Sequence, residues 1–440
     1  MNRRDMTRLA ATAAAALLAS ACSLDNQTMG VQGAPAGGAQ FAVVAHIGTS
    51  LSAGFESGGI NDSTQREGPM YQLARGMGLT PGVNWFYPSF AGAGCPAPLT
   101  DPILGARVGG VTAAFCGNRS AGSVAPYESN TGIPGLRAIQ ATDLTQVPTS
   151  ADTLKLAQFI TGSVAPITMV LAQHPTFVTV EVGANDVLAA ATRGDTTFLT
   201  STAAFTTAIN AISSQLTSLN PAPGVAIAGV PNVTVIPYFT KASILYCLKN
   251  GCGAALPATL PYSSPLFTVD VSCAPNAAGG QGDNYLLTFP TTGAVTNVLA
   301  ASRAAKLDCV HDSVLVAIAN PPAVPVANAG VRINLAAYPV ITGRVAAFNA
   351  AINTLATTNG WAYVDLNGTL AAQAANIPVL PNFANSLAVF ACPAPGCPTG
   401  TAAIFSQDGV HPNRAGYRIM AQAFGTAITA KYTGTTITVP

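Results

Sequence analysis

Two apolar runs, residues 41–47 (Phe-Ala-Val-Val-Ala-His-Ile) and 176–182 (Thr-Phe-Val-Thr-Val-Glu-Val), each run straight into a glycine. A run that does not alternate apolar with polar has no wet face. It fits a strand covered on both sides, as in the parallel sheet of an α/β protein. Each glycine is followed at once by a side chain able to do chemistry: Ser50 in Gly48-Thr-Ser-Leu, and Asn185 in Gly183-Ala-Asn-Asp186. In open α/β sheets ligands collect at the carboxyl ends of strands, where both residues would fall. Residues 225–228 and 361–365 read as further strands. Residues 198–219 and 344–357 carry apolar side chains at three- and four-residue spacing, the pattern of helices lying on a sheet.

The first 21 residues stand apart from this fold. Arg3, Arg4 and Arg8 precede a small-residue apolar stretch, and Leu18-Ala-Ser-Ala-Cys22 resembles the lipobox of bacterial lipoproteins, in which Cys22 becomes the acylated first residue of the exported chain. An ordinary signal peptide with an incidental cysteine is the alternative. Residues 22–40 read as a Gly/Ala-rich flexible tether, and residues 41–435 as one domain. The expected location is the bacterial cell envelope, as an outer-membrane lipoprotein whose membrane contact is the lipid. No later stretch of about 20 apolar residues lacks breakers, so no spanning helix is expected. Lys and Arg total 19 against 18 Asp and Glu, which leaves no basic field for nucleic acid.

Nine cysteines are present, and setting Cys22 aside leaves an even eight, which in an exported chain points to disulfides. They fall into sequence-local pairs with Gly/Pro-rich surroundings: Cys95 with Cys116, Cys247 with Cys252, Cys273 with Cys309, and Cys392 with Cys397. Neither close pair has C-x₂-C spacing or a neighbouring histidine, so metal is the weaker reading. Six of the eight lie in two Pro/Gly-punctuated segments, about 87–129 and 240–339, which interrupt the strand–helix rhythm. These are expected to be stapled insertions around the mouth of a site; a separate small domain at 240–339 is the alternative.

Ser50 at a strand-to-helix turn has two possible uses, as a nucleophile or as a helix cap. His411, in Asp408-Gly-Val-His411-Pro, is the one histidine of four with both an acid three residues before it and a proline directly after, and Pro412 can open a helix. His46, His174 and His311 read as structural. Together these blocks resemble a GDSL-type esterase/lipase of the SGNH hydrolase superfamily, in the family's order and over nearly the whole exported region. The resemblance implies a three-layer α/β/α sandwich, flavodoxin-like, with a central parallel sheet. It implies Ser50 as nucleophile, His411 as general base and Asp408 as its orienting acid. An oxyanion hole is implied from the Ser50 and Gly135 N–H groups and the Asn185 amide, and Asp186 is expected to hold the loop. Neither metal nor cofactor is implied.

An ester is the implied substrate, with lipid, acetylated glycan and small ester all open. A carbohydrate O-deacetylase and a non-catalytic SGNH-like binding lipoprotein are alternatives. Two residues depart from expectation. Thr49 stands where the family usually has Asp, and Glu181 puts a carboxylate in a strand that should be dry.

Overall fold

The computed structural model describes residues 38–101, 105–111, 128–146, 150–252, 264–289, 292, 304–316, 332–377 and 404–440. Its centre is a parallel sheet of β1 (Val44–Ile47), β2 (Phe177–Val180), β3 (Gly224–Ala228) and β4 (Ala362–Val364), in that order. Pairing runs in register, with Val44 opposite Phe177, Phe177 opposite Gly224 and Ala362 opposite Ala226.

Beyond β1 the sheet continues by a single parallel bridge from His46 to Asn130. Ser129 O accepts from the His46 N–H at 2.7 Å, and the Thr131 N–H donates to His46 O at 3.1 Å. Counting that segment, the order in chain sequence is 2-1-3-4-5, the flavodoxin arrangement. Its direction reverses between β1 and β2, where a crevice opens at the carboxyl ends.

The sheet is dry on both faces, and side chains divide between the faces with a period of two. Val44, Phe177, Ala226, Ala228, Ala362 and Val364 pack one way, against α2 (Pro69–Gly76) and α6 (Arg414–Lys431). Ala45, Ile47, Val178, Val180, Val225 and Ile227 pack the other way, against α4 (Thr202–Thr217) and α5 (Ala337–Asn359). These are the layers of an α/β/α sandwich. Phe205, Ile209, Ile212 and Leu216 of α4 meet Ile341, Val345, Phe348 and Ile352 of α5, each set at helical spacing. Phe205 and Phe348 stack with ring centroids 3.8 Å apart. Truncating either ring to Ala would cost about 3–5 kcal/mol.

The elements differ from the sequence reading at their ends. Residues 41–47 form a 3₁₀ turn (Gly38–Phe41) and then a four-residue strand. Residues 198–219 shorten to α4, because the side chain of Ser201 accepts from the Ala204 N–H and caps the helix there. The helix expected over 344–357 begins seven residues earlier, since Pro339 is tolerated in its first turn. The helix expected to open at Pro412 starts instead at Arg414, capped by Asn413, whose side-chain Oδ1 accepts from the Ala415 and Gly416 N–H groups. Asp152–Ala172 is apolar and long enough to cross a membrane, yet it folds as two helices broken at Gly162 and Ser163, both with positive φ.

Within 240–339, Phe239–Lys241, Leu286–Thr288 and Arg332–Ile333 pair as one small sheet, and Phe267–Val269, Ala305–Asp308 and Ser313–Val316 as another. A local core of Leu245, Phe267, Tyr285, Leu287 and Leu307 surrounds the Cys273–Cys309 disulfide. Phe239, Leu286 and Ile333 join the main core. Cys247–Cys252 is the other disulfide with both halves described, and Cys95 is also disulfide-bonded. Cys22, Cys116, Cys392 and Cys397 lie outside the described residues.

Cys273–Cys309 closes 36 residues and Cys247–Cys252 closes 5. On the chain-entropy relation, replacing the first pair by serine should cost about 4 kcal/mol and the second about 2 kcal/mol. Denaturant unfolding of each double variant checks this, and equal losses would contradict it.

Candidate active site

β1 ends at Ile47, Gly48 and Thr49 turn the chain, and Ser50 opens the one-turn helix α1 (Ser50–Ala53). Gly48 is required by close approach. A Cβ there would lie 2.3 Å from His46 Nε2 and 2.4 Å from Ser52 Oγ. Thr49 takes the cap position without a side-chain cap bond, and the Ser50 hydroxyl is directed elsewhere. Its Oγ lies 3.0 Å from His411 Nε2.

His411 Nδ1 lies 2.8 Å from Asp408 Oδ2. An ionised carboxylate only accepts, so Nδ1 carries the proton and Nε2 presents a lone pair to Ser50. Phe55 packs on the imidazole, ring centroids 4.8 Å apart, and restricts its rotation. Burial of Asp408 opposes ionisation. The facing His411 and the N–H donors of Val410 and His411 outweigh it and hold the carboxyl down at about 2. Gly58, 350 residues away in sequence, donates a further N–H at 2.6 Å. The turn is buttressed from β3's following loop by the Tyr238 N–H on Gly409 O, 2.9 Å.

Asn185 begins α3 (Asn185–Arg193) beyond β2. One of its two side-chain N–H groups donates to Leu136 O at 2.9 Å, which sets the amide beside the Gly135 turn. Gly135 has φ +84°, and a Cβ there would meet Thr153 Oγ1 at 2.2 Å. Its N–H donates to no described residue, and the Ser50 N–H, first in its helix, lacks an intrahelical acceptor. Asp186 is buried and clamps this loop: its Oδ2 accepts from the Ala138 N–H at 2.9 Å and its Oδ1 from the Thr200 hydroxyl at 2.7 Å. Burial pushes its pKa up.

Ser50, Asn185 and His411 share one cavity, with about 810 Å³ of space including its mouth. Its wall follows the carboxyl ends of the sheet: Ala184 and Leu188 after β2, Pro231, Val233 and Ile236 after β3, and Leu366 and Leu370 after β4. Ile404, Phe405, Val410, Ile419 and Met420 add to it, with Leu51, Pro412 and Gly416. Thr369 and Gln373 are the polar side chains on it besides those of Ser50, Asn185 and His411.

The two sequence anomalies meet. Glu181, 2% exposed, accepts from the Thr49 N–H at 3.1 Å, the Thr49 hydroxyl at 2.8 Å and the Ser52 hydroxyl at 2.7 Å. Burial pushes its pKa up, and these donors partly offset that. A carboxyl group does reach the Ser50 turn, from the residue that follows the neighbouring strand. Sequence reasoning also missed Asn130, whose amide donates to Ser52 O at 3.0 Å, and Gly58. Neither has a sequence signal, since each partner is remote along the chain.

His46 is buried and neutral, pushed down to about 3 by burial, with Nδ1 2.6 Å from Thr179 Oγ1. Asp308 and His311 repeat the Asp-x-x-His turn, with Nδ1 2.8 Å from Oδ2, but the His311 side chain is 78% exposed and no serine among the described residues bonds to its ring. Local sequence builds the dyad; only its place at the sheet's end brings a serine hydroxyl to the imidazole.

No family model and no curated protein matches the chain in sequence. Among solved structures, one described as a GDSL-like lipase from Parabacteroides merdae ATCC 43184 is similar over 88% of this chain and 95% of its own, at 11% identity and a TM-score of 0.33. Likeness at that level carries no weight for fold or function, and both rest on the geometry above.

Glu56, close to Asp408, is raised to about 7 by burial and by the charges of Glu67 and Asp408, and its buried Oε2 has no hydrogen-bond partner among the described residues. A carboxyl raised on folding binds its proton more tightly in the folded state. Stability is therefore fully present below about 4.5 and falls as pH rises to about 7. Glu56→Gln should accordingly gain stability over the unsubstituted chain at pH 8 and little at pH 4. Thermal melts at both values check this, and a pH-independent difference would contradict it.

Proposed function

We propose that this chain is a serine hydrolase of carboxylic esters with an apolar acyl group. The observation that carries the reading is the hydrogen-bonded line Ser50–His411–Asp408 opening into a cavity with almost entirely hydrocarbon walls. His411 Nε2 takes the Ser50 proton as Oγ attacks the ester carbonyl carbon. The carbonyl oxygen becomes an oxyanion within reach of the Ser50 and Gly135 N–H groups and the remaining Asn185 N–H. The carbon–alkoxy bond breaks, the leaving oxygen takes the proton from His411, and the acyl group stays on Ser50. Water then attacks, giving its proton to His411; the acid departs and Ser50 recovers its hydrogen.

The cavity wall favours an aliphatic acyl chain over acetyl groups on glycan, because a sugar would bury hydroxyls against Leu, Ile, Val and Phe with few partners. We propose further that the chain works outside the cytoplasm, anchored through a lipid on Cys22. The disulfides support an oxidising compartment.

Two results are expected. On a panel of chromogenic esters, kcat/KM should rise about three- to fourfold per added methylene until the cavity is filled, and Ser50→Ala should abolish turnover. Preference for acetyl esters would overturn the acyl assignment, and turnover by the Ser50 variant would overturn the nucleophile. Asn185→Ala should lower kcat by about 10²–10³-fold with KM nearly unchanged, since charge on the oxygen exists only after attack. A raised KM with kcat intact would move the oxyanion hole elsewhere.

A further inference from the structure

The hydrolytic scheme leaves one buried carboxylate beside the reacting atoms unused. Glu181 Oε2 gathers donors from both sides of Ser50: the Thr49 N–H and hydroxyl just before it, and the Ser52 hydroxyl two residues after. The Thr49 hydroxyl also reaches Oε1 at 3.1 Å. No basic side chain among the described residues pairs with Glu181, and its hydrogen-bond partners there are these donors. A buried carboxylate is a costly way to fill space, and an apolar residue would serve packing better.

The turn it holds has little means of holding itself. α1 is four residues long, far below the length at which a helix is stable alone. It ends at Gly54, in the left-handed region. The direction of the Ser50 hydroxyl must therefore be set from outside the helix. Asn130 grips the far end through Ser52 O, and Glu181 grips the near end and the underside. Glu181 also lies four residues before Asn185, on the segment that leads from β2 into α3. One side chain thus ties the turn bearing Ser50 to the segment bearing Asn185.

We infer that Glu181 is a positioning residue: it fixes the Ser50 turn so that the hydroxyl meets His411 Nε2, and it fixes that turn against the Asn185 amide. Misplacement of a reacting group by about 1 Å can cost on the order of 10²-fold in rate. The inference rests on the reading of Ser50 as nucleophile.

The test uses the whole chain and Glu181→Gln, which keeps the shape and replaces one carboxyl oxygen that accepts with an amide NH₂ that donates. A fluorophosphonate is followed for the number of reactive sites and for the rate constant per site, beside kcat, KM and the melting temperature. Glu181→Gln should label to completion with a per-site rate constant about 10- to 100-fold lower, kcat falling similarly and KM little changed. Ser52→Ala, which removes one donor, should slow labelling severalfold. Combined with Glu181→Gln it should add little, because both act through the same contact. Should Glu181→Gln not fold, Ser52→Ala alone decides the matter.

Fewer reactive sites at an unchanged per-site rate, or a lower melting temperature alone, would make Glu181 a packing residue and overturn the inference. Unchanged labelling in both variants would overturn it as well. If the unsubstituted chain is not labelled at Ser50, the hydrolase reading itself fails, and this inference with it.

Discussion

The parallel pairing of β1 with β2 governs the rest of the molecule. Val44 to Ile47 lie opposite Phe177 to Val180 residue for residue, so both strands finish at the same level and their following turns emerge side by side. That register brings Thr49 within reach of Glu181, and Ser50 and Asn185 onto the wall of one cavity. A slip of β2 by one residue would turn Thr179 into the α4/α5 face and send Glu181 away from Thr49. The apolar burial that fixes the register also fixes the site.

Carboxylates then do most of the local work, each by collecting N–H and O–H donors from distant segments. Asp408 draws in Gly58 and orients His411; Asp186 draws Ala138 toward Thr200 and sets the Gly135 loop; Glu181 holds the Ser50 turn. In a chain with 8% charged residues, three acids are concentrated within this one region. Their burial is costly, and donor hydrogen bonds offset it. For Asp408 the donors and His411 prevail and the group is held ionised; for Asp186 and Glu181 burial prevails and the pKa rises.

Much of this was legible in sequence, for a physical reason. A strand buried on both faces must be a continuous apolar run, and a turn that brings backbone close to a side chain must use glycine, so residues 41–48 and 176–183 announce themselves. Asp408 and His411 are three residues apart and form their bond locally, as Asp308 and His311 also do. That repeat shows the limit of such reading, because a three-residue motif reports the dyad and not its surroundings. The edge segment at Asn130 has a single bridge and no apolar run, and nothing in sequence marks it. The Thr49–Glu181 contact spans 132 residues, so the sequence shows two oddities where the fold has one hydrogen-bonded unit. Helix ends were misplaced where a cap or a first-turn proline overrode the apolar period, as at Ser201, Asn413 and Pro339.

The claim that Ser50 carries the acyl group is open to direct observation. Acid-quenching the protein during turnover of an aliphatic ester and mapping its peptides by mass should find the acyl group on the peptide containing Ser50. The adduct should be absent in His411→Ala and present in His311→Ala, whose ring is 78% exposed and lies outside the cavity that Ser50 lines. An acyl group on another residue, or turnover with no adduct in a quench fast enough to catch one, would contradict the account.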